Sequence, residues 1–258
     1  MFYSPYFTYN GIHCLDKGVR IVSFDSNVLN DFGLGYKEEL VVGESNKIVF
    51  YHKKNTVPDP ITLSLALVNK NEEPIAWDFK SIGEVTRWLL QPYFCEFTTE
   101  DIPELVYYFK CIEIKKRLNS NKQGVLEVTF QPETSYGLTS ILHFAHICHD
   151  TLNVSIDNVS NIGENYLPKI EVIQHDQNKK DIVIENLGVS KTPLVISNLE
   201  YGEKLTIDNY MKTIESSIGK NRFADVNRSW IELKYGVNKF LITGDCQINI
   251  VCQFPIIV

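Results

Sequence analysis

The run HFAHICHD at residues 143–150 gathers His143, His146, Cys148, His149 and Asp150 in one short stretch. Imidazole nitrogens, thiolates and carboxylates are the groups that hold zinc and its neighbours in the transition series. Whether they act together depends on the backbone. On a strand, His143 and His149 face one way while His146 and Cys148 face the other. On a helix, His143, His146 and Asp150 would align, but no capping residue opens a helix there. A metal site at His143, His146, Cys148 and His149 is thus the weaker reading, and an interdomain strand with histidines at an interface is the stronger. Cys148 beside His149 could serve as nucleophile and base. Neighbours on a strand diverge, however, and burial is the commoner fate of a thiol.

Other chemistry is sparse. The adjacent acid pairs Glu38 and Glu39, Glu72 and Glu73, and Glu100 and Asp101 sit in turn-like contexts and read as solvated surface charge. The sequence holds no GxSxG, no Walker loop, no GxGxxG and no HExxH, the motifs that would announce common hydrolase, nucleotide or zinc chemistry. The reading is of a protein that is not an enzyme and takes no cofactor. A hydrolase built on the His143 cluster is a rival that lacks a complete constellation.

The elements that must carry these residues are mostly strands. The chain has 258 residues, 13 Tyr, 14 Phe and a formal net charge of -7. Aromatic and β-branched residues favour sheet. The charge is mildly acidic and no basic run exceeds Lys115, Lys116 and Arg117, so no specific nucleic-acid binding is expected. No apolar run approaches the ~20 residues that span a bilayer, and no membrane insertion is expected. The N-terminus lacks the pattern of a secretory signal. Six cysteines without a framework spacing read as reduced, buried thiols of a protein assembled in a cytoplasm.

Along the chain, Asn10 and Gly11 mark a turn, and residues 36–42 and 47–53 flank a polar turn as a hairpin. Residues 61–67 alternate as a half-buried strand. Ser81 and Glu84 form a capping box for one short helix, with Val85, Trp88 and Leu89 on its apolar face and Pro92 after its end. Residues 107–111 and 126–130 alternate around a polar turn and predict a second hairpin. After His149, short strands follow at close spacing, the pattern of a sandwich or jelly roll. Near the C-terminus, Trp230 reads as a core plug and Gly236 as a positive-φ position before Asn238. Gly244 and Asp245 read as a two-residue hairpin turn whose return strand buries Cys246, Ile248, Ile250 and Cys252. The join between an N-terminal domain, 1–145, and a C-terminal domain, 146–258, falls within 137–152.

In this order the elements resemble the distal tail proteins (Dit) of long, non-contractile-tailed bacteriophages. The resemblance rests on FTYNGIHCLDKGVRI at the N-terminus, GYKEELVVGESN, the stretch from IGEVTRWLLQPYF to PELVYYFKC, GVLEVTFQPETSYG, and WIELKYGVNKFLITGDCQINIVCQ at the end. It spans nearly the whole chain, and its most telling pieces are Arg87, Trp88 and Leu89 and the block from Trp230 to Asn238.

The resemblance implies an all-β protein: an N-terminal β-sandwich with a hairpin arm and one short helix, then a galectin-like β-sandwich. It implies a virion structural protein at the tail tip, a baseplate hub that forms a hexameric ring around the DNA channel, single or as two stacked rings. Its partners would be itself, the major tail-tube protein, a tail-associated tip or fibre protein, and tape-measure, receptor-binding or baseplate proteins. The arm that embraces the neighbouring subunit would carry Gly35, Tyr36, Lys37, Glu38, Glu39, Val41, Lys47, Val49, Tyr51 and Lys53. Trp88, Leu89, Trp230, Leu233 and Gly236 would be structural. The alternative is a carbohydrate-binding module that contacts host glycans. A galectin-type site needs His, Asn, Arg and Trp gathered on one face, and the sequence shows no matching run.

Overall fold

The computed structural model describes residues 4–22, 58–178, 180–189 and 192–257. The expected arm, from Gly35 to Lys53, lies outside the described residues. Among the described residues the fold is all-β with one α-helix. The chain forms two compact units, Met1–Leu138 with Ile257–Val258, and Thr139–Ile256. The division comes before the expected join at 145/146, because the first strand of the second unit pairs along its length within that unit.

In the first unit the described strands are β1 (Phe7–Tyr9), β2 (Ile12–His13), β3 (Val19–Ile21), β4 (Ile61–Leu67), β5 (Cys95–Thr99), β6 (Leu105–Leu118), β7 (Gly124–Pro132) and β8 (Gly137–Thr139), with α1 (Phe79–Leu89) between β4 and β5. One antiparallel sheet runs in the order β2-β1-β5-β6-β7-β4-β3, with β8 beside β6. Asn10 and Gly11, at φ 52 and 72, make the tight turn from β1 to β2, as two-residue hairpins require. Alternation puts one row of rings inside: Phe7, Tyr9, Phe97, Phe109 and Phe130 are all buried. Phe97 and Phe109 lie 4.7 Å apart, and Tyr9 and Phe130 5.4 Å apart.

Helix α1 lays Val85, Trp88 and Leu89 against this interior. Trp88 stacks on Phe7 at 5.6 Å, and its indole N–H donates to the Tyr9 carbonyl at 3.0 Å. The cap differs from the expected box. The N-cap is Asp78, whose carboxylate accepts from the Ser81 backbone N–H and hydroxyl, each at 2.6 Å. Asp–x–x–Ser outcompetes Ser–x–x–Glu here because helical backbone already begins at Phe79, which leaves the Ser81 N–H as an orphan donor. At the β6–β7 hairpin, Gly124 has φ +142, and a Cβ there would lie 2.1 Å from the Arg117 carbonyl oxygen.

Among the described residues the second unit is a sandwich of nine strands: β9 (Leu142–Cys148), β10 (Thr151–Asn158), β11 (Lys169–Gln174), β12 (Ile182–Asn186), β13 (Leu194–Ile196), β14 (Lys204–Asp208), β15 (Thr213–Ser216), β16 (Gly236–Thr243) and β17 (Cys246–Cys252). One sheet has the order β10-β16-β12-β13 and the other β15-β14-β11-β17-β9. Their inward rows form one core that includes Ile156, Ile184, Phe240 and Ile242 from the first sheet, and Val172, Leu205, Ile248 and Cys252 from the second.

This topology overturns the reading of Gly244 and Asp245 as a hairpin turn. β16 pairs with β10 and β12, whereas β17 pairs with β11 and β9. The two residues are a corner that carries the chain from one sheet to the other. Both strands have buried inward rows, and facing sheets let each row bury against the opposite one, which a flat hairpin would not. Gly244, at φ +129, has room for no side chain without pressing on Asp181 and Ile182.

Candidate functional site

The same corner absorbs the histidine-rich run. β9 lies in the five-stranded sheet and β10 in the four-stranded one, so His149 and Asp150 cross between sheets as Gly244 and Asp245 do. The crossings lie side by side: the Gly244 N–H donates to the Asp150 carbonyl at 2.8 Å, and His149 Nδ1 lies 3.3 Å from Asp245 Oδ1. β9–β10 and β16–β17 therefore form one bent antiparallel ribbon, Cys148 opposite Cys246 before the bend and Thr151 opposite Thr243 after it. His143 and His149 are exposed, and His143 pairs with Asn249 at 3.2 Å. His146 is on the core-side row with Phe144 and Cys148, yet it stays exposed because β9 is an edge. Cys148 is buried, and its thiol donates to the Ile242 carbonyl at 3.6 Å. No group of three or more His, Cys, Asp or Glu side chains able to hold a metal occurs among the described residues.

On the outer face of the five-stranded sheet the side chains form a polar row across four strands. Lys204 donates to Glu171 at 2.8 Å, and Asn249 donates to Glu171 at 3.0 Å and meets His143. The Lys204 ammonium and the Asn249 amide hold the Glu171 carboxyl below its usual range, the lysine hydrogen bond contributing most. The strand registers place Thr206, Asp208, Lys169, Ile173, Gln247, Val251, Ala145, Ile147, Thr213 and Glu215 on the same face. No Trp, Tyr or Phe stands at these positions.

The segment from Trp230 to Gly236 is tied down by buried asparagines. Asn209 donates to the Pro168 carbonyl at 2.6 Å and accepts from Ile231 N–H at 2.8 Å. Asn158 donates to the Leu233 carbonyl at 3.0 Å, Asn186 to the Glu232 carbonyl at 2.7 Å, and Asn238 to the Lys234 and Gly236 carbonyls at 2.8 Å each. All four are essentially excluded from solvent, so each amide meets donor and acceptor needs that water would otherwise fill. Gly236 has φ 81. Trp230 is not the core plug: it is partly buried at the margin, while Ile231 and Leu233 are fully buried. The backbone pairing of Leu233 with Tyr166, at 2.7 and 2.8 Å, and the hold of Asn209 on Ile231 fix which side chains point inward.

A buried ion cluster joins the loop between β13 and β14, the last residue of β15 and the loop that follows β15. Arg222 donates to Glu203 from Nε at 2.9 Å and Nη2 at 2.5 Å, and from Nη1 to Asp225 at 3.1 Å. The Ser216 hydroxyl and the Glu200 N–H also donate to Glu203. Burial alone would raise the Glu203 carboxyl, but the Arg222 and Ser216 hydrogen bonds outweigh it and hold it at about 2. Glu203 and Arg222 are too far apart in sequence for any local pattern to link them. Of the four asparagines, only Asn238 stood in a recognisable block.

Two family matches divide the chain in the same way as its fold. Residues 2–133 match a phage tail protein N-terminal domain, and residues 136–252 a phage tail C-terminal domain. The SPbeta prophage-derived uncharacterized protein YomH of Bacillus subtilis strain 168 is 23% identical over 257 residues, 96% of each chain. Among solved structures, the SPP1 Dit (gp 19.1) protein, described as a paradigm of the hub adsorption apparatus in phages infecting Gram-positive hosts, has a similar fold. Its TM-score is 0.62 at 12% identity, over 96% of this chain and 98% of that one. A chain of the phage P2 baseplate in its activated conformation with calcium gives a TM-score of 0.44 at 13% identity, over 95% and 97%. With both halves matched in order, the chain belongs to this family of phage tail proteins.

Proposed function

We propose that this tail protein is a hub at the tail tip. It assembles as a closed ring around the DNA channel, joins the tail-tube protein on one side and the tip, fibre or receptor-binding proteins on the other, and performs no chemistry. The observation that carries the reading is a two-unit all-β fold that follows the SPP1 hub protein over 96% of this chain. Six subunits, in one or two stacked rings, fit a heterologous interface that closes on itself. The segment 35–54 is proposed as the arm that contacts the neighbouring subunit, because a strand pair added to a neighbour's sheet supplies backbone hydrogen bonds and covers an open edge. A mildly acidic chain suits a conduit that DNA must pass without sticking. The rival reading, a glycan-binding module, finds no aromatic platform on the polar outer face of the five-stranded sheet.

The test is native mass by light scattering, with negative-stain imaging of the same fraction. Closed rings with about six times the 29.6 kDa chain mass are expected. A protein that stays monomeric both alone and when mixed with its tail-tube partner would overturn the hub reading.

A further inference from the structure

Two of the core cysteines stand directly opposite each other. In the β9–β17 ladder Cys148 is in register with Cys246, and both side chains are buried in the same core. Opposed residues of an antiparallel pair place their Cβ atoms about 4.5–5.5 Å apart, and a disulfide needs about 3.5–4.5 Å. Closure therefore asks for a shift of about an ångström. That shift falls where the sheet resists it least: β9 is an edge strand, and Cys148 is its last residue before the corner. The other cysteines are placed differently. Cys252 is opposite Leu142 and six residues along β17 from Cys246, about 20 Å away at strand rise. Cys95 is opposite Phe109 and Cys111 opposite Phe130. Cys14 is on a separate 3-10 turn that ends at Gly18.

We propose that Cys148 and Cys246 form a cross-strand disulfide when the protein meets a small-molecule disulfide such as oxidised glutathione. The Cys148 thiol loses its proton as the end of β9 lifts, and its sulfur attacks one sulfur of the oxidant. One glutathione thiolate leaves, and a mixed disulfide remains on Cys148. The Cys246 thiolate then attacks the Cys148 sulfur and expels the second glutathione. Two protein thiols are oxidised and one glutathione disulfide is reduced to two thiols. Burial pushes both protein thiols up, Cys246 to about 12 with the neighbouring Cys148 adding to the effect. The closed sandwich therefore resists the reaction, and opening of the edge sets its rate. Once formed, the bond pins the sheet edge at the corner, replacing hydrogen bonds alone with a covalent link suited to an oxidising exterior.

The experiment treats the full chain with oxidised glutathione, in buffer and in urea below the unfolding midpoint, where edge opening is faster. The protein is then denatured, its remaining thiols are alkylated, and it is mapped by mass spectrometry. The expected result is a fall from six alkylatable cysteines to four, a crosslink joining the Cys148 and Cys246 peptides, and a raised melting temperature for the second unit. Cys148→Ser and Cys246→Ser should each abolish that crosslink, and either variant serves if the other folds poorly. Six free thiols after exhaustive treatment would overturn the proposal. So would a stable glutathione adduct without a crosslink, or a crosslink between any other pair.

Discussion

Replacing Arg222 by Met tests the buried ion cluster most directly. Arg222 is 8% exposed at the side chain and Glu203 0%. The change leaves the Glu203 carboxylate in the core with only Ser216 and the Glu200 N–H as partners. Removing one member of a buried pair typically costs about 3–5 kcal/mol, a large share of the roughly 5–15 kcal/mol that holds an ordinary domain together. The pH dependence identifies the cause. In the native protein the Glu203 carboxyl is at about 2, below its ordinary 4.5. Its stabilisation is therefore complete above 4.5 and is lost as pH falls from there towards 2. In the variant, burial without Arg222 raises the carboxyl, so its penalty is full at neutral pH and gone once pH falls below 4.5. The stability gap between the two proteins should thus be widest near pH 7 and shrink steadily towards acid. Urea unfolding from pH 7 to pH 3, followed by hydrogen exchange of β14 and β11 amides, measures it within the second unit. Adding Glu203→Gln to the variant should recover most of the loss. A gap that is constant with pH, and equal in single and double variants, would show that packing rather than the uncompensated charge sets the cost.

Two further outcomes follow from backbone geometry and burial. Gly124→Ala should destabilise the first unit by about 1–3 kcal/mol, because φ there is +142 and the new methyl would meet the Arg117 carbonyl; unchanged thermal unfolding would contradict this. Leu233→Ala should cost the second unit about 2–5 kcal/mol, and more than Trp230→Ala despite the larger side chain of Trp, since Leu233 is fully buried and Trp230 only partly. The reverse order in chemical denaturation would restore Trp230 as the plug.

The sequence alone settled what depends on near neighbours. Alternation placed Tyr107, Phe109 and Cys111 on one buried row and Leu126, Val128 and Phe130 on another, and the structure keeps both. Asn10 and Gly11 gave their turn, and the spacing of Val85, Trp88 and Leu89 gave the apolar face of α1. These features follow from chain periodicity and from the few residues that accept positive φ. The ordered set of such pieces was enough to point to a phage tail protein.

Tertiary structure decided who pairs with whom. A two-residue step such as Gly244 and Asp245 serves a hairpin or a sheet-to-sheet corner with the same residues, and only the inward rows of β16 and β17, buried against opposite sheets, choose the corner. The histidine run was ambiguous for the same reason: its chemistry depended on a neighbour, Asp245, that lies 96 positions along the chain from His149. Nothing local marks Asn158, Asn186 and Asn209 as a set: the fold alone lays one segment across all of them, and Arg222 found Glu203 only when their loops met. Period tells a residue which side it faces; long-range packing alone tells it what it will face there.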